Sequence, residues 1–458
     1  MNRNQVLELS AQLSGRAVLP GDDDYDSART GWNLSVEHHP AVVVAAEEPA
    51  DVVAAVRFAA EADLPIAVEA TGHGASVPAD GAVYINTGGL NELMIDARSR
   101  TARIGAGLRW GQVVQAAAEH GLAPLCGSSA HVGMMGYLTG GGLPVLGRTF
   151  GFAAETVRSL DLVTADGQLR TVSPSSEADL YWAVRGARSN FGVVVAAEID
   201  LLPILRLYGG HFSFDGQHAE QVLRTYVDWA HQQPEEMTSS IILVRFPDIP
   251  QMADDVRGRF LVNVRIAYVG APADGERLVA PLRALRPEQD HVRDMPYTEI
   301  SEIYRDPFRP TPARVRTALL HDLDDKAVDD LIAVAGPEHE LPFGGIELRH
   351  LGGALSRKPA RPSAVGAREA QFHLFMSMPA PIASNSLDMV HRTQEKVLAS
   401  LHPWDTGSQL PGLMFNHETH PEDVRRGYPE ADYRRLVQLK TNYDPRNLFR
   451  LNHNIPPW

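Results

Sequence analysis

The chain has 458 residues, 44% hydrophobic and 22% charged, with a formal net charge of −15 and a single cysteine, Cys126. A chain this long exceeds one compact core and predicts two or three domains. The acidic balance argues against a nucleic-acid or anionic-membrane surface, and one cysteine excludes an intrachain disulfide or a cysteine-based zinc cluster. No run of about 18 apolar residues occurs, so no membrane span is expected. The N-terminus lacks an apolar signal core and a twin-arginine pair, which makes the cytoplasm the expected compartment.

Residues 41–45 read as a buried strand. Pro49 then opens an amphipathic helix carrying Val52, Val53, Val56, Phe58 and Ala59, which Pro65 is expected to stop. Residues 66–70 form the next strand and complete a β-α-β unit. Directly after it, Thr71-Gly-His-Gly-Ala-Ser sets His73 between Gly72 and Gly74. Further strands are expected at 82–86, 93–96 and 101–105, and a helix at 110–120 ended by Gly121. Residues 127–142, Gly-Ser-Ser-Ala-His-Val-Gly-Met-Met-Gly-Tyr-Leu-Thr-Gly-Gly-Gly, are a second glycine-rich segment. Small residues let backbone N–H groups line an anionic ligand. A histidine inside such a loop suggests that the ligand is also bonded to the protein.

Strands at 161–165 and 169–172 flank an Asp-Gly turn, and a helix at 179–185 leads into an apolar strand at 192–202. Residues 203–405 change character: strands at 211–214, 241–245, 261–267, 345–350 and 371–376 alternate with helical runs. Pro and Arg concentrate at 308–316 and 357–367, which read as surface loops. From 406 the chain ends in a polar helix at 432–442 and an extended stretch at 449–456.

Gly105-Ala-Gly-Leu-Arg-Trp-Gly111 has the wrong spacing for the strand-helix turn that binds nicotinamide dinucleotides. Four other blocks carry a resemblance. They are Thr71-Gly-His-Gly-Ala; the 127–142 segment with Arg148-Thr-Phe-Gly-Phe-Ala-Ala; Trp182-Ala-Val-Arg-Gly-Ala-Arg-Ser-Asn-Phe-Gly-Val-Val; and Tyr443-Asp-Pro-Arg-Asn-Leu-Phe-Arg-Leu-Asn-His-Asn-Ile-Pro-Pro. In that order they resemble the vanillyl-alcohol-oxidase/PCMH flavoproteins, and within them the berberine-bridge-enzyme-like branch. The resemblance implies an α+β protein. A PCMH-type FAD-binding domain of two α/β subdomains (1–204) is expected, with a substrate domain of antiparallel sheet and flanking helices (205–405). A C-terminal segment (406–458) is expected to return to the FAD domain.

The resemblance assigns His73 the single covalent link to the 8α carbon of FAD; the plainer reading of His73 is a loop donor to phosphate. Relatives that attach FAD twice use a cysteine where this chain has Ser129, so a second link is not expected. Cys126 is expected to be an ordinary buried thiol. Thr71, Gly72, Gly74, Ser128, Gly133, Gly136, Tyr137, Thr139, Gly140, Val194, Asn416 and Asn452 match cofactor-facing positions. Val132 matches a position where valine accompanies oxygen access to the reduced flavin, unless it only packs beneath the ring. Pro144 and His131 depart from the pattern.

Met414-Phe-Asn-His417 stands where many relatives read Tyr-x-Asn-Tyr, so His417 takes the place of a substrate base; the plainer reading is a surface or supporting histidine beside Glu418 and His420. A histidine accepts a proton near neutral pH without strong activation. Glu347 is the second candidate. Period-two alternation puts Glu347 and Arg349 on one face of their strand and His350 on the other; an ion pair between the first two is equally compatible. Tyr137 is a third candidate, as a pocket-shaping residue. His417-x-x-His420 lacks the spacing and third ligand of a metal site.

The expected activity is an FAD-dependent oxidase taking hydride from a small alcohol, amine or phenol-type molecule, with a secondary metabolite favoured over a sugar. Dioxygen is the expected acceptor, giving hydrogen peroxide. The alternatives are a dehydrogenase using another acceptor and a non-redox flavin-bound module. The sequence leaves substrate identity and oligomeric state open.

Overall fold

A computed structural model describes residues 3–74, 77–414 and 421–458. Its first sheet runs Arg16–Val18, Val42–Ala45, Val83–Asn86, Ile66–Glu69 in space. The helix Pro49–Ala62 joins Val42–Ala45 to Ile66–Glu69, and both run parallel to Val83–Asn86 between them. The crossover therefore leaves a gap that a later strand fills. The helix stops before Pro65. Asp63 takes the left-handed conformation (φ 54°) and its N–H bonds back to the Ala59 carbonyl, a geometry that Asp tolerates better than most side chains.

The second sheet runs Leu93–Asp96, Thr101–Gly105, Val193–Asp200, Val157–Val163, Leu169–Val172, all antiparallel. Its strand at Val157–Val163 begins four residues earlier than the expected 161. A register shift between Val157 and Ser159 breaks the alternation there and hid the start. Both sheets share one apolar core, from Val42 and Val56 to Leu162 and Val193.

The third sheet has eight strands, all paired antiparallel. Its central members are Arg206–Asp215, Phe260–Tyr268, Met237–Arg245, Gly344–His350, Phe372–Pro379 and, at one edge, Ala313–Leu320. That edge strand corrects the reading of 308–316 as a loop. Its arginines alternate with buried Ala313, Val315 and Thr317, and Pro312 falls just outside the ladder.

Residues opposed across antiparallel strands share a face. Phe212, Val264, Ile241, Leu348 and Leu374 form one row and pack into a core with the helices Ala219–Ala230, Asp325–Ala335 and Leu387–Ser400. The row on the other face reads His211, Arg265, Ser240, Arg349, His373. A sheet with one apolar and one cationic face puts its chemistry on the second.

The helix Glu430–Tyr443 and the residues after it pack on the first two sheets. Lys440 is fully buried, and its Nζ donates to the Asp444 carboxylate at 2.7 Å and to the carbonyls of Asn190 at 2.7 Å and Phe449 at 3.1 Å. Burial draws the ammonium down to about 8, against the pull of Asp444. Asp444 also accepts from the N–H groups of Leu448 and Phe449, and Asn190 clamps the tail through the His453 carbonyl and Ile455 N–H. Among the described residues no helix is long and apolar enough to cross a membrane.

Asp444→Ala leaves that ammonium buried without its counter-charge and should cost on the order of 3–5 kcal/mol. Replacing the pair together, Lys440→Met with Asp444→Leu, should recover most of the loss. Urea unfolding measures both, and an Asp444→Ala midpoint equal to the parent's would refute the assignment.

Candidate active site

The two glycine-rich segments meet at one hydroxyl. Thr71 Oγ1 accepts the Gly133 N–H at 3.2 Å and lies 3.1 Å from His73 Nδ1. The His73 ring stacks on Trp32, with centroids 4.4 Å apart and planes 12° from parallel. Its Nε2 is buried and has no hydrogen-bond partner among the described residues. Burial, then the positive fields of Arg109 and His131, lower His73 to about 3, so the ring is neutral at physiological pH.

The glycines of these loops have different neighbours. Gly72 (φ 70°) crosses Gly31 so closely that a Cβ would lie 2.4 Å from the Gly31 Cα. A Cβ on Gly140 would lie 2.8 Å from the Gly412 Cα, and one on Gly133 3.1 Å from Thr71 Oγ1. Gly136 is exposed, with nothing within 4 Å of a Cβ. Backbone crossings therefore demand Gly72 and Gly140, whereas Gly136 borders open space.

Gly74 is tied in by its carbonyl, 3.4 Å from Arg188 Nη1; Arg188 also reaches the Gly412 carbonyl at 3.4 Å and His453 Nδ1 at 3.5 Å. Ser128 donates to Asp306 at 2.5 Å, and Ser129 Oγ accepts the His131 N–H at 3.4 Å. Thr139 turns its hydroxyl back to the Met135 carbonyl at 2.9 Å. Val132 packs against the core and Val194 is buried within it. Asn452 donates to Ser189 at 3.2 Å and to the Phe449 carbonyl at 3.1 Å, and its buried Oδ1 has no partner among the described residues. Asn416 and His417 lie outside the described residues. Cys126 is buried beside the Tyr297 hydroxyl at 3.3 Å, and burial pushes its thiol up to about 11.

The third sheet turns its charged face toward the second glycine segment; Ser128, Pro144, Val145, Tyr304 and Arg349 line a common cavity. Glu347, 3% exposed, accepts from Ser240 Oγ at 2.7 Å, Arg265 Nη1 at 2.7 Å and Arg349 Nε at 2.9 Å. Burial alone would raise its pKa, but Arg349 and Arg265 outweigh burial and hold the carboxyl down to about 2. Aromatic faces fix both guanidinium groups: Arg349 lies 4.5 Å over Phe375 and Arg265 4.6 Å over Tyr304. His350 is on the opposite face, 3.0 Å from Arg148 Nη1 and stacked on Phe372. The alternation thus separates these three residues as the sequence implies. Tyr137 lies between Gly127 and Gly142 with its ring edge-on to Trp110 at 5.3 Å. Its hydroxyl is buried with no partner among the described residues, and burial raises its pKa well above the usual phenol value.

Trp32, Arg188, Arg265 and His373 were not singled out from the sequence. Arg265 gave a faint signal, a lone charge inside the apolar run 261–267; His373, with both ring nitrogens buried and unpartnered among the described residues, gave none. Among the described residues no group of three or more His, Cys, Asp or Glu side chains is placed to hold a metal ion.

An unpartnered imidazole nitrogen, open space at Gly136 and an unpartnered amide oxygen at Asn452 fit a flavin dinucleotide lying between the glycine segments and the tail. Fold and site together define an FAD-linked oxidoreductase. Residues 40–173 match the FAD binding domain and residues 415–456 the berberine and berberine-like segment. The chain is 28% identical to (R)-6-hydroxynicotine oxidase of Paenarthrobacter nicotinovorans, covering 97% of each. The crystal structure of 6-hydroxy-D-nicotine oxidase from Arthrobacter nicotinovorans superimposes with a TM-score of 0.86 at 24% identity, covering 97% of this chain and 98% of that one. A chitooligosaccharide oxidase gives 0.83 at 20% identity over 99% of this chain and 100% of that one. Along its whole length the chain is thus similar to FAD-linked oxidoreductases of the berberine-bridge-enzyme-like type.

The folded pKa of Glu347 is depressed, so the stability its carboxylate contributes is full above about 4.5 and is lost as pH falls toward about 2. Glu347→Gln should lower stability at pH 7 by on the order of 3 kcal/mol, with the gap to the parent closing between pH 4.5 and 2. Denaturant titrations across that range check it; a gap constant down to pH 3 counts against the assignment.

Proposed function

We propose that this chain is an oxidase that holds FAD through a single covalent bond to His73 and oxidises a small alcohol, amine or phenol-type molecule, with dioxygen as electron acceptor. The observation that carries the reading is the His73 ring: neutral, fixed in its plane, with one nitrogen unpartnered and buried. Thr71, Gly136, Asn452 and the backbone around Gly133 and Gly140 border the cofactor. Bound there, FAD supplies a two-electron acceptor for hydride.

The substrate lies between the glycine segments and the charged face of the third sheet, which residues 205–405 supply. The base that takes its proton is His417. Glu347 is a poor acceptor because its lone pairs already face Ser240, Arg265 and Arg349, and it instead holds the two guanidinium groups in place. Tyr137 forms a wall of the site. Val132 supports dioxygen as acceptor. The similarity to a 6-hydroxynicotine oxidase along the whole chain supports a nitrogen-containing aromatic donor of secondary metabolism ahead of a sugar.

Trichloroacetic acid precipitation should leave the flavin with the protein pellet, and His73→Ala should release it to the supernatant; yellow supernatant from the parent refutes the bond. Enzyme reduced anaerobically should reoxidise within seconds of meeting air, whereas reduced flavin lasting minutes would assign a dehydrogenase. His417→Phe should lower kcat by about 100-fold or more at unchanged FAD content; unchanged turnover would remove His417 as the base.

A further inference from the structure

Trp32 precedes the first long strand of the chain and matches none of the four blocks that carry the family resemblance. The structure nevertheless lays its indole flat on the His73 imidazole. The backbone is arranged for this contact. Trp32 N–H bonds to the Thr71 carbonyl at 2.9 Å and Asn33 N–H to the Gly72 carbonyl at 3.1 Å, so residues 32–33 run alongside the His73 loop. Their approach needs glycine on both sides: a Cβ on Gly31 would meet the Gly72 Cα at 2.9 Å, and one on Gly72 would meet the Gly31 Cα at 2.4 Å. Gly72 also has a positive φ of 70°, which L side chains rarely adopt. Two of the loop's constraints, close crossing and left-handed backbone, thus bring an aromatic face onto the histidine.

That face limits the imidazole to sliding in its plane. Thr71 Oγ1 at Nδ1 then fixes the rotation within the plane. The indole is held in turn: its Nε1 lies 3.4 Å from the Phe308 carbonyl in the third-sheet half of the molecule. Thr311 braces the same segment, donating to the Trp32 carbonyl at 3.0 Å and accepting the Leu34 N–H at 3.1 Å.

We infer that Trp32 is the positioning residue for covalent attachment of FAD, holding the His73 ring at the angle from which a nitrogen lone pair meets the flavin 8α carbon. This rests on the reading of His73 as the tether. In the attachment step an imidazole N–H and one C8α–H bond break and one N–C8α bond forms. The two electrons and two protons released leave on dioxygen as hydrogen peroxide. Trp32 takes no part in these transfers; it restricts the ring to a productive angle, and misplacement by an ångström or a few tens of degrees slows such steps steeply.

The test compares the parent with Trp32→Ala, Trp32→Leu and Trp32→Phe, measuring total bound FAD and the fraction that stays with the protein through acid precipitation. Trp32 is half-buried, and the leucine variant keeps apolar bulk without a ring. The expected result is near-parental total FAD in the Ala and Leu variants, with the acid-stable fraction reduced about 5-fold or more, and recovery of at least half of the loss in Trp32→Phe. An acid-stable fraction in Trp32→Ala and Trp32→Leu equal to the parent's would overturn the inference while leaving the tether in place. Loss of total FAD in both would make Trp32 a binding residue and also overturn it. Acid-labile flavin in the parent would instead overturn the tether itself.

Discussion

The hydroxyl of Thr71 couples the position of one imidazole ring to the path of a distant loop. Gly133 N–H and His73 Nδ1 converge on it, so neither glycine-rich segment can shift without disturbing the other. The threonine is the second residue after the strand Ile66–Glu69, and strand ends are the best-fixed points from which to project a loop. The order of constraint runs from a half-buried parallel strand to one hydroxyl, then to an imidazole plane. Residues 32–34 extend it, pairing with the His73 loop on one side and with Thr311 on the other. The sheet that carries the charged face is thereby registered against the histidine through main-chain bonds.

That charged face is an electrostatic fixture. Two guanidinium groups share one carboxylate in a water-poor setting, each held flat by an aromatic ring. Such clusters seldom exceed an apolar core in stability, but they present a fixed field with little reorganisation when charge moves nearby. The net excess is one positive charge. Arg148 does a different job on the opposite face, donating to the Met237 and Leu351 carbonyls and facing His350, and so staples the glycine-rich half to the end of the sheet.

Most strands of the first two sheets were legible because apolar runs such as 42–45 and 193–200 are buried on both sides; the three-residue edge strand Arg16–Val18 was too short to show a pattern. The alternation at 345–350 correctly divided Glu347 and Arg349 from His350, since pairing register follows period two whatever the residues are. The strand at Ala313–Leu320 was not legible: Arg314 and Arg316, directly after Pro310 and Pro312, give its start the composition of a loop, which an edge position tolerates. The stack of Trp32 on His73 was equally hidden, because contacts between segments 41 residues apart leave no local periodicity. Glycine was readable as a sign of close approach, but not of what approaches. Gly72 and Gly140 meet other stretches of backbone, and Gly136 meets open space.

The contact between Gly140 and Gly412 fixes more than a loop. A Cβ on Gly412 would fall 2.0 Å from the Gly140 carbonyl oxygen, so main chain rests on main chain with no side chain between them. The stretch beginning after Met414 therefore departs from an anchor that is independent of its own composition. Substitutions downstream leave that point of departure where Gly140 and Gly412 hold it. Sequence change after Met414 is in that sense mechanically insulated from the frame to which the stretch is attached.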